Sequence, residues 1–139
     1  MRRLSDIVYN QRPLTLKGDV TVKEACEHMR DKAVGSVLIV DDAGRLAGIF
    51  TGRDAVCRVL ADGHSAAKTK VSTVMTPNPV TMAPEQTAID ALRTMWDGGF
   101  RHVPVVKSGK ILGVVTRGTI KGAEQDRLDE EREVWEHLR

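Results

Sequence analysis

Thr21-Val22-Lys23-Glu24-Ala25 and Thr87-Ala88-Ile89-Asp90-Ala91 decide the fold, because the second stretch repeats the first. Each opens with a threonine and places an acid three residues later, the pattern of a capping box at a helix start. Apolar residues then recur at helical spacing. In the first copy they are Val22, Ala25, Cys26 and Met29, and in the second Ala88, Ala91, Leu92 and Met95. The two stripes share one register, so each predicts an amphipathic helix buried along the same face. An internal repeat of this length governs the architecture of the whole chain.

Working outward, each helix leads into an apolar run that reads as a buried strand, Val37 to Val40 and Val103 to Val106. Turn residues follow, Asp41-Asp42-Ala43-Gly44 and Lys107-Ser108-Gly109-Lys110. A second apolar run comes next, Leu46-Ala47-Gly48-Ile49-Phe50 and Ile111-Leu112-Gly113-Val114-Val115. Two such runs joined by a short Gly-containing turn predict a hairpin. A further helix is expected after Thr51 and after Thr116. Upstream, Pro13-Leu14-Thr15-Leu16 matches Pro79-Val80-Thr81-Met82 as a short extended segment.

The expected class is α+β: a strand–helix–strand–strand–helix unit written twice, over residues 1–64 and 65–123, with residues 62–70 as the connection. A unit of roughly 60 residues buries too little apolar surface alone, so the two should pack with pseudo-two-fold symmetry. Residues 124–139 are highly charged and carry Leu128, Trp135 and Leu138 on about one helical face. That tail reads either as a solvated terminal helix or as a dimer or partner contact.

Composition removes several function classes. The 21 basic and 19 acidic residues of the 139 leave a formal charge of +2, with no basic block to serve as a nucleic-acid footprint. Aromatics are 4% of the chain, too few for a base-stacking platform. Apolar runs such as Val37 to Val40 are too short to cross a bilayer, and no secretory segment follows the basic start. The expected location is therefore cytoplasmic, with no membrane or nucleic-acid partner. Cys26 and Cys57 read as small apolar helix residues. They lack metal-ligand spacing, as do His28, Glu27 and His64.

The chemistry concentrates in Gly48-Ile49-Phe50-Thr51-Gly52-Arg53-Asp54. A strand stops there and a helix begins, which leaves backbone N–H groups unpaired at Thr51. A carboxylate three residues on offers two oxygens, suited to the paired hydroxyls of a ribose. Thr51 can bond a sugar or phosphate oxygen, and Arg53 can neutralise a phosphate. The same Thr-x-x-Asp is also a plain capping box, and the motif alone does not separate the two readings.

The doubled unit, with Gly-h-x-Thr-x-x-Asp after the hairpin (h apolar) and a Val103-Pro104-Val105-Val106 strand before it, resembles the CBS-domain family. The resemblance runs from about Leu4 to about Lys121 and is strongest to small stand-alone bacterial proteins made of one CBS pair, a Bateman module. It implies two β-α-β-β-α CBS motifs and a charged C-terminal helix, commonly in a homodimer. It further implies two clefts between the motifs for adenosine-containing ligands such as AMP, ADP, ATP, NAD or S-adenosylmethionine. Carried onto this sequence, one cleft takes ribose on Thr51 and Asp54 and phosphate on Arg53, Arg101 and His102, with adenine between Pro79, Val80 and Phe100. Without the resemblance, Arg101-His102 would read as solvated surface.

The second cleft departs from the family pattern. Thr119 of Thr116-Arg117-Gly118-Thr119 stands where the pattern has aspartate, and a hydroxyl cannot make the charge-assisted contact. Gly35 and Ser36 align with Arg101 and His102. This site, with Leu14, Val34, Thr116 and Thr119, is expected to be degenerate.

No nucleophile elbow, P-loop, metal cluster or acid–base pair points to an enzyme, and no catalytic cofactor is implied. The expected function is regulatory ligand sensing, signalling in trans to a protein target. The alternative is a ligand-free dimerisation or scaffold module.

Overall fold

The computed structural model describes residues 2–120; the C-terminal helix expected over 124–139 lies outside the described residues. The first unit contains β1 (Thr15–Lys17), α2 (Val22–Lys32), β2 (Ser36–Val40) and β3 (Leu46–Thr51), after a short α1 (Leu4–Ile7). The short helix α3 (Gly52–Asp54) continues as wider π turns over Ala55–Leu60. A two-residue strand β4 (Thr76–Pro77) precedes the second unit. That unit holds α4 (Ala88–Gly98), β5 (His102–Lys107) and β6 (Lys110–Thr116), and residues 117–120 are helical.

The two helices form where the repeat places them. Thr21 Oγ1 accepts a hydrogen bond from the Glu24 N–H (3.2 Å) at the start of α2. At α4 the box closes both ways, Thr87 Oγ1 accepting from Asp90 N–H (3.2 Å) and Asp90 Oδ2 from Thr87 N–H (3.0 Å). These bonds satisfy donors that no helical carbonyl can reach. The inward face is Val22, Ala25 and Met29 in one helix and Ala88, Ala91 and Met95 in the other. Both helices end on a left-handed residue, Ala33 (φ 53) and Gly99 (φ 71).

The sheets repeat as well. β2 pairs parallel with β1 (Leu16 opposite Ile39) and antiparallel with β3, and β4 adds to the free edge of β3. Parallel neighbours need a crossover, and α2 supplies it. In the second unit β5 and β6 form the hairpin, and Met82 bridges Val105 in parallel as Leu16 does Ile39. Both hairpins carry a bulge at the matching place, Ile39/Val40 and Val105/Val106.

Each unit borrows a segment from the other side of the chain. Leu4 and Val8 lie in the core with Met82, Ala88, Ala91, Met95, Val103 and Val105. Val71 and Val74 lie in the core of the first unit, with Val22, Met29, Val37 and Phe50. The main chain is tied accordingly: Leu4 N–H donates to Gln86 O (2.8 Å), and Val71 N–H to Val20 O (2.9 Å). Close approach of these segments accounts for a glycine in each hairpin. A Cβ on Gly113 would meet Val8 Cβ at 2.7 Å, and one on Gly48 would meet Met75 and the Thr76 carbonyl oxygen (2.9 Å). Within the described residues no helix is long and apolar enough to cross a membrane.

Candidate functional site

β3 ends at Thr51, opposite Ser36, and the chain turns directly into α3. Thr51 is extended (φ −118, ψ 167), so its hydroxyl reaches the Asp54 N–H (3.3 Å). Asp54 Oδ2 accepts from the Thr51 N–H (3.0 Å) and hydroxyl (3.2 Å). Its other oxygen meets Thr76 Oγ1 at 3.4 Å and Arg58 Nε at 3.5 Å. Asp54 is 8% exposed. A charge that buried needs partners, and these four groups supply them. The two bonds to Thr51 close a capping box, while the two contacts on Oδ1 are longer.

The turn after β6 is built the same way with a hydroxyl in the carboxylate's place. Thr116 Oγ1 accepts from the Thr119 N–H (3.0 Å) and lies 2.7 Å from Thr119 Oγ1.

Thr51 and Arg53 of the first unit face Phe100, Arg101 and His102 of the second across a cleft of about 570 Å³. Its remaining walls include Gly35 and Ile49. Arg53 Nη1 donates to the Gly99 carbonyl (3.4 Å), at the negative end of α4, which ties the two units together across the cleft. Burial holds the His102 imidazole below its ordinary pKa, and the adjacent Arg101 charge adds to this; Asp54 pulls the other way. Burial therefore favours the neutral ring, which stands as a hydrogen-bonding group on the cleft wall. Asp54 lies behind Thr51 rather than on the cleft wall. Pro79 and Val80 are not brought to this cleft: Pro79 lines a separate cavity with Leu46 and Val106, and Val80 is 51% exposed. The apolar walls are Ile49 and Phe100. The signal for Ile49 was its place in β3, two residues before Thr51 and so on the same face of the strand.

A second cleft, about 350 Å³, brings together Leu14, Val34, Thr116 and Thr119. Three basic side chains also line it: Arg12, Lys32 and His102. Aligning Gly35 and Ser36 with Arg101 and His102 gave no sign of them, because they come from the ends of neighbouring elements and from the other unit. His102 lines both clefts. A Cβ on Gly35 would approach its Nε2 to 3.2 Å, so the absence of a side chain at Gly35 gives the ring its place.

Residues 4–60 and 71–126 each match the family model described as the CBS domain. The chain belongs to the CBS-domain family. A CBS domain-containing protein of Arabidopsis thaliana is 40% identical over 102 residues, covering 73% of this chain and 19% of that protein. The CBS pair thus spans about a fifth of the length of the curated relatives it matches first. Among solved structures, a CBS-domain containing protein from Agrobacterium tumefaciens is 31% identical. It matches with a TM-score of 0.82 over 88% of this chain and 92% of its own. A CBS domain pair in complex with 5′-methylthioadenosine and S-adenosyl-L-methionine is 24% identical and shares the fold. Its TM-score is 0.82, over 91% of this chain and 98% of its own.

Proposed function

We propose that this CBS pair is a regulatory sensor that binds an adenosine-containing nucleotide, one of AMP, ADP, ATP or NAD, in the cleft between its two motifs. The observation that carries the reading is the convergence of Thr51 and Arg53 from one unit with Phe100, Arg101 and His102 from the other on one cavity of nucleotide size. A base fits between Ile49 and Phe100, and a ribose at Thr51 with Asp54 behind it. Phosphate falls to Arg53, Arg101 and His102, in the charge-assisted manner that makes such contacts strong. A ligand touching both units stabilises whichever arrangement brings them to the right separation, and it shifts the equilibrium only by its differential affinity. The signal then passes in trans to a protein partner, from a homodimer in the cytoplasm, without catalysis. The adenosine ligands of the structural neighbour support the same ligand class.

One observation favours a second reading, a ligand-free dimerisation module. The Asp54 carboxylate already has four partners, from Thr51, from Arg58 and from Thr76 of β4 in the same sheet. A thermal-shift screen of wild type and Asp54→Ala against these nucleotides separates the readings. Ligand at a hundred times its dissociation constant stabilises by about 2.7 kcal/mol, a shift on the order of 5–10 °C at this size. The sensor reading expects that shift in wild type and its loss in Asp54→Ala. Under the scaffold reading no nucleotide shifts either protein, and Asp54→Ala shows only a lost cap, about 0.5–2 kcal/mol.

A further inference from the structure

The cleft does not end at Arg101 and His102. The same two side chains line an adjoining cavity of about 370 Å³, whose other walls are Thr116, Arg117 and Gly118 after β6. Arg117 is half-buried, and its guanidinium carbon lies 5.6 Å from the centre of the Trp96 ring. Its backbone N–H donates to the Arg101 carbonyl (3.0 Å), which fixes the two arginines side by side. Trp96 itself is 75% exposed, so its ring gains little from burial. It provides instead a face on which the Arg117 guanidinium rests, while stacking leaves the edge N–H donors available to other groups.

Arg101, His102 and Arg117 line the adjoining cavity, and Arg53 joins Arg101 and His102 in the cleft; among the described residues no carboxylate lines either wall, and Asp54 lies behind Thr51. A monophosphate at Arg53, Arg101 and His102 would occupy the cleft, whose walls do not include Arg117. A longer phosphate chain extending past Arg101 would enter the cavity that Arg117 lines. The sequence shows the corresponding change: Arg117-Gly118 in the second turn stands where the first has Gly52-Arg53, which moves the cation one residue toward the strand.

We infer that the cavity lined by Arg101, His102 and Arg117 is a distal-phosphate subsite, so that the cleft selects nucleoside di- and triphosphates over monophosphates, with Arg117 as the specificity-determining residue. This rests on the nucleotide reading of the cleft and adds the ligand's phosphate number to it.

The test is calorimetric titration of the full chain with AMP, ATP and inorganic tripolyphosphate, in wild type, Arg117→Ala, Arg117→Lys and Lys110→Ala. Wild type is expected to bind ATP at least about tenfold more tightly than AMP, and Arg117→Ala to lower that ratio by roughly tenfold. Arg117→Lys keeps the charge without the planar fork and should fall between the two, which also covers an alanine variant that fails to fold. Lys110→Ala removes the same charge at the other end of β6, roughly 20 Å away, and should leave the ratio within about twofold. Equal affinities for AMP and ATP in wild type would overturn the subsite while the nucleotide cleft stands. Equal falls in Arg117→Ala and Lys110→Ala would do the same, since a general field would then explain the preference. Binding of tripolyphosphate alone, lost in Arg117→Ala, would keep the subsite and remove the nucleotide reading. No binding by any of the three would remove both.

Discussion

Among the described residues, His102 is the one side chain that lines both clefts: it begins β5 opposite Thr116, and its ring lies against Gly35. Burial lowers its pKa first and the Arg101 charge second, with the Asp54 carboxylate opposing them. The folded chain therefore prefers the neutral ring, whereas the unfolded chain takes a proton near the ordinary value of about 6.5. The unfolded state then binds more protons on the acid side. The stability that comes from keeping His102 neutral is fully present above that value and is lost as pH falls toward the lowered folded value. Thermal melts at pH 7.5 and 5.5 should show a larger drop for wild type than for His102→Gln. Equal drops would mean that burial of this ring has no titration consequence. The same scale shows how much of the site could be read in advance. Thr51 and Asp54 were legible from a four-residue turn, because the capping geometry is local. The partners of Asp54 were not, since Thr76 arrives from a strand 22 residues away.

At the scale of elements, the repeat makes each copy a control for the other. α2 and α4 have the same length, the same inward face and the same left-handed end, yet one end is Ala33 and the other Gly99. A side chain in the left-handed region costs roughly 1–2 kcal/mol, and glycine avoids it at an entropic cost of about 0.5–1 kcal/mol. Ala33→Gly is therefore expected to raise stability by roughly 0.5 kcal/mol or slightly more. Chemical denaturation with an unchanged m value would measure it; a destabilised variant would show that the αL argument fails at this cap. The helices and hairpins were legible because their signals, a 3.6-residue stripe, a cap and a Gly-containing turn, all lie within the element. The π turns over Ala55–Leu60 were not, because nothing in that stretch's apolar spacing distinguishes them from an α-helix. The basic side chains of the second cleft escaped for a related reason. Arg12 precedes β1 and Lys32 ends α2, so neither occupies the position that the repeat made comparable.

For the whole molecule, the interleaving of segments sets where the clefts fall. Leu4 and Val8 complete the core of the second unit, and Val71 and Val74 that of the first, so neither core closes within one copy of the repeat. The packing of the two units together is legible in the sequence, because each is too small alone. Which segments they exchange is not legible, because short apolar pieces such as Leu4 to Val8 carry no period long enough to assign them to a partner. The exchange places the strand-to-helix turn of one unit opposite the β5 entry of the other, and the proposed nucleotide site depends on this arrangement. Two-dimensional amide NMR spectra of the isotopically labelled chain, recorded as ATP is added, test it most directly. The largest shifts are expected in two groups that are far apart in sequence, Gly52 to Asp54 and Phe100 to His102, rising together on one binding curve. Shifts confined to one group, shifts elsewhere only, or an unchanged spectrum at millimolar ATP would contradict a nucleotide site shared between the two motifs.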